Sequence, residues 1–160
     1  MILTELGHVQ LAESMFVNDF RLAWGTLPSG DGWNDTPDPE NVNTTDLTQE
    51  VGRIKSQVRE YVVPDTNGVI EVDGVKWTIS TTPTKYIYLK YKFSQTHNSS
   101  DFIYQLGIFT QTEVVTGDEA LEYIQPAQIV NKGNLILLEN QPTLIRNSAT
   151  KEAYQFVITF

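Results

Sequence analysis

The sequence predicts a mainly β fold, either a β-sandwich or a barrel-like sheet, with an N-terminal helix and one further short helix; α+β is the alternative label. Short segments rich in β-branched and aromatic residues follow one another from Gly68 to the end of the chain. Together with the extended segments before Gly68, they give roughly eight to ten predicted strands. The dipeptide Asp73-Gly74 separates two of them, and it is typical of a two-residue hairpin turn. Helical spacing of apolar residues occurs only early in the chain.

The N-terminal segment has the pattern of a helix followed by a strand. Its apolar residues recur at roughly helical spacing, and they are Leu3, Leu6, Val9, Leu11 and Met15. Thr4 is placed to cap the first turn, so a helix is predicted over residues 4–15. After a break at Asn18-Asp19, apolar and other residues alternate from Phe20 to Trp24, which predicts a strand that ends at Gly25.

Residues 26–43 are predicted to form a long loop, because prolines at positions 28, 37 and 39 interrupt regular structure. Asp46 and Gln49 then have the spacing of a capping box, ahead of apolar residues that include Val51 and Ile54. This pattern predicts the second, short helix, which Gly52 weakens at its end. The chain from Arg53 to Val63 is predicted to be extended.

The rest of the chain is predicted to be β-structure broken by polar turns. A tight hairpin is expected at Asp73-Gly74, and further turns at residues 97–101 and at Asn140-Gln141-Pro142. The predicted strands have the sequences GVIEV, VKWTIS, KYIYLKYKF, DFIYQLGIF, NLILLE, TLIR and AYQFVITF.

Composition limits the classes of protein to which the chain can belong. Its 160 residues are enough for one core, and neither a linker nor a repeat divides them, so a single domain over residues 1–160 is predicted. A net charge of −9 argues against nucleic acid and anionic membrane as partners. The chain contains no cysteine, which excludes disulfides. No signal peptide and no membrane-spanning segment is expected.

The loop does not have the residues of a cofactor or metal site. Gly25 and Gly30 have phosphate-loop spacing, but the Lys and Ser/Thr of that motif are replaced by Asp31-Gly32, and an aspartate repels phosphate. Acidic and amide side chains of the kind that bind calcium cluster at Asp31, Asn34, Asp35 and Asp38. Their spacing does not match the helix–loop–helix calcium motif. A solvated acidic loop is therefore favoured, with no metal and no cofactor.

Catalytic patterns are equally weak, and the chain is predicted not to be an enzyme. The two histidines, His8 and His97, have no Gly-x-Ser-x-Gly motif to support them, so a hydrolase is the least favoured hypothesis. Glu50 and Arg53 are three residues apart, and on a helix they would form a local ion pair. Arg53 would alternatively bind a loop carbonyl or a partner.

Aromatic residues suggest two kinds of binding surface. Trp77 and the tyrosines at 86, 88, 91 and 104 are compatible with a carbohydrate-binding β-sandwich, although packing across the sheet is favoured. Trp24 is expected in the core. Trp33 is isolated among Asp and Gly: if exposed it is an interface anchor, and if it folds back it fixes the loop. The predicted interface residues are Trp33, Asp31, Asp35, Asp38 and Arg53.

The order of these segments resembles the small N-terminal modules of tailed-phage tail-fibre and baseplate proteins, of the tail-collar fibre type. Those modules open with a helix similar to LTELGHVQLAES, and then have a strand similar to FRLAWG and a loop with a Trp and prolines. They continue with a short helix similar to TDLTQEVGR, a late strand similar to FIYQLGIF and a Gly-centred turn similar to NKGNLIL. The resemblance extends loosely from Leu3 to about Arg146.

The resemblance implies a non-enzymatic structural protein of the virion, made in the host cytoplasm and placed in the tail or baseplate. Fibre proteins continue into a shaft or tip, whereas this sequence stops at Phe160. We therefore expect a baseplate component, or an adaptor that attaches tail fibres to the baseplate. The implied partners are other baseplate or tail-fibre proteins and further copies of the same chain, as in a homotrimer.

Overall fold

A computed structural model describes residues 2–28, 32–33, 36–97, 102–145, 149 and 151–160. Within these residues it contains one α-helix, one short 3₁₀ turn and twelve strands. In chain order the elements are α1 (Glu5–Phe16), β1 (Phe20–Thr26), β2 (Gln49–Lys55), β3 (Val58–Pro64), β4 (Ile70–Val72), β5 (Val75–Ile79), β6 (Tyr86–Phe93), β7 (Phe102–Thr110), β8 (Glu113–Val114), β9 (Tyr123–Ile124), the 3₁₀ turn (Pro126–Gln128), β10 (Ile129–Asn131), β11 (Asn134–Ile145) and β12 (Glu152–Thr159). The prediction of a mainly β chain with an N-terminal helix is confirmed.

The chain divides into two compact units. The first unit consists of Met1–Asn18, Ser56–Tyr91 and Ala153–Phe160, and the second consists of Asp19–Lys55 and Lys92–Glu152. Each unit is described by itself below, and the expectation of a single domain over residues 1–160 remains a prediction.

In the first unit, helix α1 begins one residue later than predicted and ends one residue later. The Thr4 side chain accepts a hydrogen bond from the Gly7 N–H, as a helix N-cap should. Ala12 is its buried residue, and Phe16 at its end stacks on Tyr61 with ring centroids 4.2 Å apart. With 12 residues, α1 is too short to cross a bilayer, and no helix in the described part of the chain is long and apolar enough to do so.

The five-stranded sheet in the order β12-β6-β3-β5-β4 lies in the first unit, to which all residues of β3, β4 and β5 and most residues of β6 and β12 are assigned. The predicted hairpin at Asp73-Gly74 is confirmed. Both residues have a left-handed backbone, φ 52° and 76°, and Val72 pairs with Val75 across the turn. A buried cluster of apolar side chains forms on this sheet, made of Val62, Val72, Trp77 and Tyr88.

The second unit is built on an antiparallel sheet in the order β11-β7-β1-β2-β9, with a separate two-stranded ribbon of β10 and β8. Strand β1 lies in the middle, paired with β2 on one side and β7 on the other. Its alternate residues Phe20, Leu22 and Trp24 are buried. Trp24 stacks on Phe93 with ring centroids 3.5 Å apart, which confirms its predicted place in the core.

The predicted second short helix is wrong, because Gln49–Lys55 is strand β2. Pairing with β1 satisfies the backbone hydrogen bonds of this segment, and such nonlocal pairing outweighs a weak local capping pattern. The Asp46 carboxylate accepts from the neighbouring Leu47 N–H instead of from Gln49, so no cap forms. At Gly52 a side chain would collide with the Tyr123 ring, which explains the glycine without a helix end.

The predicted turn at Asn140-Gln141-Pro142 is also wrong. These residues lie inside β11, which runs unbroken from Asn134 to Ile145. The pairing register with β7 shifts between Asn140 and Leu144, so the segment is a bulge. Because β11 is an edge strand of its sheet, it tolerates a proline there. The bulge turns backbone groups of β11 away from β7.

Candidate functional site

The loop between β1 and β2 spans Leu27 to Thr48, and several of its described residues contact strands β7 and β11 of the second unit. We call its described residues, together with the residues of β7 and β11 that contact them, the loop surface. The contacting residues of the two strands are Tyr104, Gln105, Leu138, Asn140 and Gln141. Side-chain hydrogen bonds hold this surface together at three points, which are described in turn.

The first point is Trp33, which folds back onto the sheet. Its indole Nε1–H donates to the Gln141 carbonyl over 2.9 Å, and its ring meets Tyr104 edge-on with centroids 6.1 Å apart. Trp33 is half-buried. Of the two alternatives drawn from the sequence, the folded-back one describes the contacts of this residue, while part of the ring remains on the surface.

The second point is Asn140, at the start of the β11 bulge. Its backbone N–H donates to the Glu40 carboxylate over 3.0 Å, and its side-chain Nδ2 donates to the Asp38 carbonyl over 2.9 Å. The hydrogen bond from Asn140 holds the pKa of the Glu40 carboxyl below its ordinary value. One strand residue therefore binds two residues of the loop.

The third point is the end of the loop, next to β2. The Gln105 side chain accepts from the Thr48 N–H over 2.8 Å and donates to the Asn140 side chain over 2.9 Å. Leu47 is buried in a cluster with Ala23 and Phe109, which gives this end of the loop an apolar anchor. The described residues of the loop are thus held at Trp33, at Asp38 and Glu40, and at Thr48.

A cleft of about 500 Å³ opens beside the loop within this surface. Its apolar lining includes Leu27, Trp33, Pro39 and Leu138, and its polar lining includes Gln105 and Asn140. Asp38 is the charged residue among the described residues that line it. Such a cleft is large enough for a side chain and part of a peptide, which is the scale of a typical recognition pocket.

Arg53 is fully buried at the base of the loop surface. Its Nε and Nη2 donate to the two Glu50 carboxylate oxygens over 2.7 and 2.6 Å, and Nη1 donates to the Lys132 carbonyl over 2.8 Å. Nη1 also donates to the Thr112 hydroxyl, and the guanidinium lies 4.0 Å from the centre of the Phe109 ring. The predicted pair with Glu50 therefore exists, but on a strand instead of a helix face.

The burial of Arg53 changes what its predicted interface role would mean. Its guanidinium binds the carbonyl of Lys132, which lies in the connection between β10 and β11. A bond to a loop carbonyl was the first of the two alternatives drawn from the sequence. Lys132, whose carbonyl Arg53 binds, makes an ion pair with Asp46 in the loop. Any contribution of Arg53 to a partner surface would be made by positioning the loop.

The remaining predicted interface residues divide into two groups. Trp33 and Asp38 lie together on the loop surface, and Asp38 is exposed. Asp31 and Asp35 lie outside the described residues, as does Asn34 of the acidic cluster considered for calcium. Among the residues that the structure does describe, no three His, Asp or Glu side chains come together in a metal-binding group.

Most of the aromatic side chains on the strands are packed into the protein, which was the alternative favoured from the sequence. Trp77, Tyr88 and Tyr91 are buried and are not exposed to a sugar ring, whereas Tyr86 and Tyr104 are half-buried. Burial raises the pKa of the Tyr91 hydroxyl. His97 is also used structurally, because its Nδ1 accepts from the Ser94 N–H and its ring stacks on Tyr123 at 4.3 Å.

Asn140, Gln141 and Gln105 are the site residues that the sequence reasoning missed. The available signal was Pro142, since a proline within a β-rich run marks an edge strand or a bulge. A bulge at Pro142 would leave polar groups of the residues just before it without partners on the neighbouring strand, so those groups would need partners elsewhere. The loop supplies those partners.

Comparison with known protein families places the whole chain within one family model. A family model described as baseplate wedge 3 tail fiber network component matches residues 1–160, and no curated protein matches the chain. The match covers the helix, the loop surface and all twelve described strands, and it confirms the resemblance to phage tail-fibre and baseplate proteins. It indicates a structural role in the phage tail and contacts with other baseplate or tail proteins. The chain belongs to the family of baseplate wedge 3 tail fiber network components.

Proposed function

We propose that this chain is a non-catalytic adaptor that attaches tail fibres to the baseplate wedge, and that the loop surface is one of its docking faces. The observation that carries the proposal is the three-point attachment of the loop by Trp33, Asn140 and Gln105. A loop held in this way has lost most of its freedom before a partner binds. The entropy cost of docking is correspondingly small.

The polar side chains of the loop surface favour docking over chemistry. Gln105 and Asn140 use their amides on the loop, and Glu40 uses its carboxylate on the Asn140 N–H. These groups are therefore engaged in fixing backbone positions, whereas a catalytic acid or base needs access to a substrate proton. The same engagement gives the surface a defined shape, which is what recognition by complementarity requires.

The net charge of the chain and its family indicate which classes of molecule it binds. Other baseplate and tail-fibre proteins are the main partners, and the net charge of −9 argues against a role on nucleic acid. Further copies of this chain, as in a homotrimer, are a second class of partner. Light scattering of the purified chain, alone and with its neighbours, would measure the number of copies.

Substitution of Trp33 by alanine tests the proposal. We expect the variant to fold and to lose about 2 kcal/mol or more of docking free energy, since a central Trp is a typical interface hot spot. Incorporation into particles, measured by complementation of a phage that lacks the gene, should fall. Val69→Ala, at a residue that is 94% exposed on the first unit, is the matched control and should assemble normally.

A second variant separates the two roles of the indole. Trp33→Phe keeps an aromatic ring but removes the N–H that binds the Gln141 carbonyl. Assembly close to normal in this variant would assign docking to the ring, and a loss equal to that of alanine would assign it to the fixed loop. Normal incorporation of Trp33→Ala would overturn the proposed role of the loop surface.

A further inference from the structure

We propose that the cleft of the loop surface receives an arginine side chain from a neighbouring baseplate or tail protein. The inference rests on the proposed function, because it names the chemistry of the partner at that surface. It is drawn from three features of the cleft: the exposed acidic residue Asp38, the exposed part of the Trp33 ring and the apolar lining.

The first feature is charge. Two other acidic groups of the described loop already have partners, since Glu40 accepts from the Asn140 N–H and Asp46 pairs with Lys132. Asp38 lines the cleft and is exposed, and within the described residues its carboxylate has no hydrogen-bond or ion-pair partner. An acidic residue that lines a cleft favours a cation as the group bound there.

The surrounding sequence strengthens this selection. The segment from Thr26 to Gly52 contains no lysine or arginine, so the loop offers no basic residue of its own to Asp38. The chain as a whole carries a net charge of −9. A basic partner is therefore steered toward this surface, and an acidic one is repelled.

The second feature is the Trp33 ring, which lines the same cleft. Its N–H already binds the Gln141 carbonyl, so the indole has no donor left for a partner. What remains for a partner is the part of the ring that lines the cleft beside the contact with Tyr104, and a cation packs favourably over an indole face. Arginine fits better than lysine, because its planar guanidinium both stacks on a ring and meets a carboxylate through two donors.

The third feature is the apolar wall. Leu27, Pro39 and Leu138 line the cleft beside Trp33. A three-carbon arginine stem would cover this wall while the guanidinium reaches the carboxylate. A small metal ion would satisfy Asp38 but would leave the wall and the ring uncovered.

A tiled peptide array of the other baseplate and tail-fibre proteins of the same phage, probed with the labelled full-length chain in EDTA, tests the inference. The peptides that bind should share an arginine, and changing that arginine to lysine should weaken binding. Asp38→Asn should weaken the same peptides by on the order of fivefold, the scale of one partly exposed ion pair. Glu71→Gln, which removes an exposed carboxylate from β4, should bind as the unchanged chain does.

The outcomes separate this inference from the proposed function. Binding that needs a divalent cation, that selects acidic or neutral peptides, or that ignores Asp38→Asn would overturn the arginine assignment. If Trp33→Ala fails to assemble while Asp38→Asn assembles and binds normally, the docking role stands and the arginine is wrong. If no peptide on the array binds and Trp33→Ala assembles normally, both proposals are wrong.

Discussion

Helix α1 and the loop from Leu27 to Thr48 are both held on sheets, but by different kinds of contact. The helix is held mainly by apolar and aromatic packing: Ala12 is buried, and Phe16 contacts both the Tyr61 ring and the Arg59 guanidinium. Most of the loop is held by directional hydrogen bonds to side chains and to backbone groups of a bulged strand. Leu47 is its buried apolar anchor.

The difference teaches how a segment can have a fixed shape without being very stable. Apolar packing stabilises in proportion to the area it buries, and it tolerates small shifts. Each hydrogen bond adds only about 0.5–1.5 kcal/mol net but fixes a distance and a direction. The loop should therefore open locally at a low free-energy cost, which is usual for binding elements. Helix α1 should open only when the packing of its unit is lost.

The largest expected effect comes from removing Arg53, which supports the base of the loop. Arg53→Met leaves Glu50 almost fully buried without its cation, with a side chain only 4% exposed. We expect a loss of about 3–5 kcal/mol in the free energy of unfolding, measured by chemical denaturation. The variant would also remove one of the two donors to the Lys132 carbonyl, and leave the Thr112 hydroxyl as the other.

A neighbouring lysine on the same strand provides the control for Arg53. Lys55 pairs with the exposed Asp19 over 3.4 Å, so Lys55→Met should cost at most about 1 kcal/mol. The double variant Glu50→Leu, Arg53→Met should recover part of the loss, because it removes both buried charges. Equal losses for the Arg53 and Lys55 variants would refute the role assigned to the buried pair.

The next effect should fall on the helix side of the comparison. Phe16→Ala removes the stack on Tyr61 and the contact with Arg59, and we expect a loss of about 2 kcal/mol for this half-buried ring. Amide exchange along α1 should accelerate. Leu6→Ala, at a residue of the same helix that is 66% exposed, should change stability by less than about 0.5 kcal/mol.

A smaller and more local effect is expected from Asn140→Ala. The variant loses the side-chain bonds to the Asp38 carbonyl and to Gln105, for about 1–2 kcal/mol, although its backbone N–H can still bind Glu40. Hydrogen exchange should accelerate in the loop, with little change in α1. Asn134→Ala on the same strand, whose side chain binds only the exposed Gln111, should leave the loop unchanged. Uniform acceleration across both units would contradict a locally held loop.

The same comparison explains what could be predicted from the sequence. Helix α1 and the β4–β5 hairpin were predicted correctly because their signals are local: a cap three residues from its donor, and a two-residue turn. Strand β2 was mistaken for a helix because its structure depends on pairing with β1. A local capping pattern at Asp46 contains no information about that pairing.

The attachment of the loop was hidden for a related reason. Trp33 was singled out by its isolation among polar residues, yet its partner Gln141 is 108 positions away. Asp38 and Asn140 are 102 positions apart. No spacing rule relates residues so distant, whereas the proline in β11 could have indicated that backbone groups nearby needed partners.

The smallest expected effect concerns pH and the Glu40 carboxylate. Its pKa is lowered in the folded chain, chiefly by the Asn140 N–H, from an ordinary value of 4.5. A group with a depressed folded pKa stabilises above its unfolded pKa and loses that contribution as the pH falls through the folded value. Acidification below about pH 4.5 should therefore loosen the middle of the loop. Because Glu40 is fully exposed, the effect on global stability should be slight.

The readout for Glu40 has to be local, because Asp65 in the first unit also has a lowered pKa through hydrogen bonds from Asn67 and Thr78. The indole N–H resonance of Trp33, followed by NMR during acid titration, reports on the loop alone. Glu40→Gln should abolish the change in that resonance, since an amide oxygen still accepts from Asn140 but does not titrate. A titration of Trp33 that persists in Glu40→Gln would show that another acidic group controls the loop. The contrast with α1 would then rest on the amide contacts of Asn140 and Gln105, without a contribution from charge.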